Sequence, residues 1–144
     1  MKELLTQVKA TRGFSPSTTT NVNTAFVTQI IDTAGYESLL FLIAIGALTD
    51  ANVTFALTLE HGDDPALSDT AAPAATDLVG TAALATWLFS DDDKVAKIGY
   101  KGKKRYVRLT VTPAGNDAGS ISLSCIALLA HARNTTGLGT QLGA

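Results

Sequence analysis

The stretch NVTFALTLEHG, residues 52–62, alternates with period two. Val53, Phe55, Leu57 and Leu59 fall to one side, and Thr54, Ala56, Thr58 and Glu60 to the other. Successive side chains of an extended chain point to opposite faces, so this pattern predicts a strand with one buried face. RYVRLTVT (105–112) repeats it, with Val107, Leu109 and Val111 inward and Tyr106, Arg108 and Thr110 outward. ISLSCIALLAH (121–131) reads as a last strand, and AFVTQIID (25–32) as an early one ending at a Gly35 turn. SLLFLIAIGAL (38–48) is apolar almost throughout. Such a run marks a strand covered on both faces, or a central sandwich strand beside a subunit contact.

Turn chemistry separates these runs. TDAN (49–52) and PAGNDAGS (113–120) carry the Asp, Asn and Gly that tight backbone geometry favours. GDDPALSDTAAPAATD (62–77) reads as a long exposed loop, and LVGTAALATWLFS (78–90) as either a strand or a short helical stretch. DDDKVAKIGYKG (91–102) leads into an expected hairpin with its turn near Lys101–Lys103, where Gly102 supplies a permissive backbone. Short strands joined by such turns predict an all-β fold, an antiparallel β-sandwich of jelly-roll-like or barrel-like form.

The ends read differently. MKELLTQVKA (1–10) has the spacing of a short helical turn, and TRGFSPSTTTNVNT (11–24) favours irregular or extended backbone. Residues 1–25 are therefore expected to form an N-terminal arm, 26–131 the sandwich domain, and 132–144 a flexible C-terminal tail. The arm is expected to be mobile or to be ordered by lying on something else.

Bulk properties narrow the function. A chain of 144 residues with 46% hydrophobic and 17% charged side chains is one globular domain, and a net charge of −2 argues against a dedicated nucleic-acid binder. One cysteine, Cys125, cannot form an internal disulfide, and its alternation with Ile121, Leu123 and Ala127 predicts a buried, inert thiol. The Leu39–Leu48 run is too short to span a bilayer, and the N-terminus has no signal-like apolar core, which points to assembly in the cytoplasm. His61 and His131 with Cys125 make no zinc spacing, and the aspartates at 63–64 and 91–93 lack the alternation of a calcium loop. No catalytic, cofactor or metal residues are assigned.

GYKGKKRYVRLTV (99–111) holds five of the eleven basic side chains, Lys101, Lys103, Lys104, Arg105 and Arg108, with Tyr100 and Tyr106 between them. Cations interleaved with aromatics suit single-stranded nucleic acid. The same residues suit a solvated strand edge or a protein contact. The acidic 60–93 stretch followed by the basic 94–108 stretch suits complementarity between neighbouring subunits.

The order of these features resembles a small protein encoded among the structural genes of tailed bacteriophages and prophages. The resemblance is carried by the Thr-rich N-terminal stretch, TAGYESLLFLIAIGALTDANVTFALTLEHGDD (33–64), KIGYKGKKRYVRLTVTPAG (97–115) and the closing ALLAHAR (127–133). It implies a head decoration, or capsid cement, protein that binds the outside of the major capsid protein lattice. Its partners would then be the major capsid protein and itself, as a trimer or dimer, with no enzyme activity, no cofactor, no membrane and no nucleic acid. Its place would be the outer capsid surface of the virion, after synthesis in the host cytoplasm. The apolar 39–45 run or the small-residue loop would supply the self-contact.

Leu4, Leu5, Val8, Arg12 and Phe14 of the arm are the expected capsid contacts. Lys103, Lys104, Arg105 and Arg108 are expected to contact the capsid or a sister subunit. Removing residues 1–16 is expected to leave a folded sandwich that no longer binds heads. The alternative is a tail, neck or fibre component that binds a receptor, which an exposed Trp87 or Tyr100 would favour by stacking on sugar. An enzyme would need convergent titratable groups in a cleft.

Overall fold

The computed structural model describes residues 4–5, 7–81 and 85–133, so most of the expected C-terminal tail lies outside the described residues. The fold is an antiparallel β-sandwich. Its strands are β1 (Val8–Thr20), β2 (Phe26–Val27), β3 (Ile31–Asp32), β4 (Tyr36–Leu48), β5 (Thr54–Gly62), β6 (Leu78–Val79), β7 (Val95–Tyr100), β8 (Tyr106–Ala114) and β9 (Ser120–Ala132). One five-stranded sheet runs β1-β9-β4-β7-β6. The second, four-stranded sheet centres on β8, which pairs with β5 and with the short β2 and β3.

Alternation decides which residues line the space between the sheets. Leu39, Phe41, Ile43 and Ile45 of β4 and Ile121, Leu123, Cys125, Ala127 and Leu129 of β9 meet Phe55, Leu57 and Leu59 of β5 and Val107, Leu109 and Val111 of β8. Each large side chain fully buried in this way contributes about 1.5–3 kcal/mol. The long strands β4, β5, β7, β8 and β9 alternate between the sheets in chain order, except that the long loop and β6 intervene after β5. This is the connectivity of a jelly roll, in which neighbours in sequence face each other across the core.

Four local expectations change. Val8–Thr20, read as an arm, is the edge strand β1, antiparallel to β9 from Val8↔Ala130 to Thr20↔Ser120. What it lies on is its own domain, and the ladder with β9 takes up one edge of its backbone polar groups. The β-branched threonines favour this conformation, and Thr18 Oγ1 shares a 2.8 Å hydrogen bond with Ser122 Oγ. Register shifts flank Phe14, and Pro16 falls within the second of them, where an outer strand tolerates a missing N–H.

The 25–32 stretch is two short strands on β8 because its pairing slips by one residue in the middle, where Gln29 turns to β1. Thr28 N donates to Leu109 O on β8, Leu109 N donates to Thr28 Oγ1, and Gln29 N donates to Gly13 O on β1. The expected hairpin at Lys101–Lys103 is absent: β7 pairs with β4 and β6, whereas β8 belongs to the other sheet. Lys101–Arg105 is a crossover between sheets. Among its described residues the 78–90 stretch supplies the short strand Leu78–Val79, a bridge from Leu88 to Thr54 and the start of a 3-10 turn at Phe89–Asp91, with Trp87 buried between the strand and the turn.

Candidate functional site: the outer face of the five-stranded sheet

The basic cluster is the first place to look, and most of its charge is engaged within the chain. Arg105 makes two bonds to Asp32, of 2.9 Å from Nε and 2.8 Å from Nη2, and its guanidinium lies 5.1 Å from the Tyr106 ring centroid. Arg108 makes two bonds to Glu60 Oε2, at 2.9 and 2.7 Å, across the β5–β8 pair. Lys104 is paired with Asp63. The Arg105 guanidinium holds the Asp32 carboxyl below its ordinary range. The acidic and basic stretches of the sequence thus meet within one chain.

Tyr100, whose exposure would have favoured the fibre alternative, is buried, and burial raises its phenol above the ordinary value. Its hydroxyl lies 2.9 Å from Nδ1 of buried His61 and accepts the Lys104 N–H at 3.1 Å. Lys101 and Lys103 remain exposed and line a groove with Thr33–Glu37, Arg105 and Arg133. Trp87 is buried against Phe55, ring centroids 4.7 Å apart, which removes it as a sugar-stacking platform. Its indole Nε1 finds no partner.

The arm residues are placed by β1. Leu4 and Leu5 are exposed ahead of it, Val8 is half-buried opposite Ala130, and Arg12 is exposed opposite Ile126. Phe14 turns inward, its ring 5.7 Å from that of Phe26, and packs on the core instead of offering an outward contact.

The remaining feature is a sheet face. Register places three rows of residues on the outer side of the five-stranded sheet. One row is Ala10, Leu128, Leu40, Gly99 and Val79; the next is Arg12, Ile126, Leu42 and Lys97; the third includes Ser124, Ala44 and Val95. Ile126 is 50% exposed, Val79 58% and Val95 63%. Leu40, Leu42 and Leu128 are half-buried although, among the described residues, they belong to no core cluster. An exposed sheet side normally carries polar residues. Contiguous aliphatic side chains there mark a contact surface. The uninterrupted 39–45 run signalled this face in the sequence, as did Ile126 and Leu128 in the last strand; Lys97 carried no such signal.

Among the described residues, no group of three or more His, Cys, Asp or Glu is arranged to hold a metal ion. Cys125 is buried, its thiol pushed up to about 12 by desolvation, and neither histidine bonds to it. A thiol held protonated in this way is a poor nucleophile. No helix among the described residues is long and apolar enough to cross a membrane.

No family model and no curated protein sequence matches the chain. Several solved structures share its sandwich loosely. Xylanase10C from Cellvibrio japonicus in complex with xylopentaose aligns at 10% identity and a TM-score of 0.43, over 86% of this chain and 27% of that one. The P-domain of Macrobrachium rosenbergii nodavirus aligns at 12% identity and a TM-score of 0.36, over 88% and 94% of the two chains. The SPBc2 prophage-derived protein YomS aligns at 8% identity and a TM-score of 0.34, over 84% and 92%. The chain thus spans little more than a quarter of the xylanase, and none of these three likenesses supports an assignment of function.

Proposed function

We propose that this chain is a virion structural protein that decorates a phage head, binding the outer surface of the major capsid protein lattice and stabilising it. The observation that carries the reading is the solvent-facing aliphatic side of the five-stranded sheet on a body where Asp32, Glu60, Asp63, Lys104, Arg105 and Arg108 are spent on holding loops and strands together. Such a body is suited to assembly, and the sequence resemblance names the assembly. On a lattice, many copies multiply a modest individual contact, and each clamps neighbours against outward pressure. Self-association as a trimer or dimer would add to that clamp, and the work is mechanical.

The test is the copy number and position of the chain in purified particles, by quantitative mass spectrometry and a cryo-EM map. Hundreds of copies on the outer shell support decoration. A few copies at the tail would replace it with the neck or fibre alternative, and absence from particles would refute a virion role.

A further inference from the structure

Resting on the decoration reading, we infer that the outer face of the five-stranded sheet docks on an apolar protein surface that presents carboxylates, and that Arg12 and Lys97 are the cations that select it. One row of the face reads Arg12, Ile126, Leu42, Lys97 across β1, β9, β4 and β7. Strands lie about 4.8 Å apart, so the two cations bracket the aliphatic pair at a separation of about 14 Å. Both are exposed, and neither makes an ion pair among the described residues, in contrast to Lys94, Lys104, Arg105, Arg108 and Arg133. Arg12 reaches only Ser15 Oγ, at 3.3 Å.

The face carries no acidic side chain at any of its outward positions: Ala10 and Arg12 on β1, Ser122 to Ala130 on β9, Ser38 to Ala44 on β4, Val95 to Gly99 on β7, and Val79 on β6. Charge therefore chooses the occupant. A second copy packed face to face about a twofold axis along the strands would set Arg12 against Lys97 of its mate. A twofold axis along the row would set each cation against its own counterpart. Both arrangements oppose like charges around an apolar centre, whereas a surface with carboxylates flanking an aliphatic patch matches both features. In the decoration reading, a surface of that chemistry would belong to the capsid lattice. Rows of aliphatic side chains supply the buried contact, and the bracketing cations fix its register.

The experiment uses the full chain and purified heads from particles whose gene for it has been deleted. Binding is measured for wild type, Ile126→Glu, the double reversal Arg12→Glu with Lys97→Glu, and Thr58→Glu on the outer side of the opposite sheet. Ile126, Arg12 and Lys97 are exposed, so the variants are expected to fold, which thermal melts check. The inference predicts at least tenfold weaker binding for Ile126→Glu and for the double reversal, unchanged binding for Thr58→Glu, and a weaker salt dependence for the reversal. Wild type that binds heads with all variants binding equally overturns the docking assignment and leaves decoration standing. Wild type that fails to bind overturns both. Sedimentation gives the last arm: a wild-type oligomer that Ile126→Glu dissociates into monomers makes another copy the occupant and overturns the carboxylate partner.

Discussion

Gly13 of β1 sits tight against Cys125 of β9, and one added methyl there tests whether β1 is an integral strand. A Cβ at this buried position would lie 2.7 Å from Cys125 Sγ and 3.0 Å from both its Cβ and its carbonyl oxygen. The backbone conformation is not at issue, since Gly13 is outside the positive-φ glycines. Forcing a methyl into packed space costs about 1–3 kcal/mol. Reduced freedom of the unfolded chain returns about 0.5–1 kcal/mol. Gly13→Ala is therefore expected to lose up to about 2.5 kcal/mol, centred on about 1 kcal/mol, lowering the melting temperature by up to roughly 10 °C at this chain length.

Cys125 supplies a local readout for the same variant. Its thiol is held protonated and buried opposite β1. Alkylation under native conditions then reports opening of that edge. Gly13→Ala should label several-fold faster than wild type. Adding Cys125→Ala removes the 2.7 Å contact but not the two at 3.0 Å, so melting should recover only in part. A Gly13→Ala chain that melts at or above wild type and labels at the wild-type rate would refute the argument.

Deleting residues 1–16, which the sequence alone suggests leaves a folded sandwich, should instead abolish the cooperative melt or lower it sharply, because it strips β9 of its partner from Val8 to Phe14; a truncated chain with wild-type melting would sink this. Trp87→Phe should cost only about 1 kcal/mol, since the indole N–H makes no hydrogen bond to lose, whereas Trp87→Ala should cost about 3–5 kcal/mol, both read by urea unfolding followed by circular dichroism. Glu60→Gln should cost about 0.5–1 kcal/mol by the same measurement, as a half-exposed pair to Arg108 is weakened. Acid should destabilise the fold through carboxylates whose folded values lie below the ordinary range. Asp50 accepts the N–H groups of Asn52, Ala118 and Asp117, and Asp69 those of Asp63 and Asp64. Their contribution is present above the ordinary carboxylate range and is lost as pH falls through the lowered values, so Asp50→Asn should flatten the acid limb of a melting-temperature profile.

Strands whose two faces meet different surroundings were legible in the sequence. β5 and β8 alternate cleanly because one side meets the core and the other meets solvent. β1 was not legible, because it carries little apolar side chain toward the core beyond Phe14, with Gly13 buried beside it, and is held by backbone pairing and small polar contacts. Nothing in a Thr- and Ser-rich string distinguishes a strand docked on a neighbour from an arm awaiting one. The crossover at Lys101–Arg105 mimicked a hairpin because Gly102 and its flanking lysines satisfy turn chemistry equally well. What Gly102 answers to is the Tyr100 ring, which leaves no space for a Cβ there. The basic cluster misled for another reason. Charges 41 to 73 residues apart in sequence, Lys104 with Asp63 and Arg105 with Asp32, become partners only once the sheets are assembled.

The last strand among the described residues, β9, lies between β1 and β4, inside the sheet and not at its margin. A growing chain on the ribosome therefore holds β1 and β4 as two strips with a gap between them that nothing already made can fill. The five-stranded sheet closes only when residues 120–132 have left the exit tunnel. Val8 must then find Ala130 across nearly the whole polypeptide, a non-local step of the slow kind. Products terminated before residue 120 lack the wedge that joins the halves, so they cannot complete the native sheet.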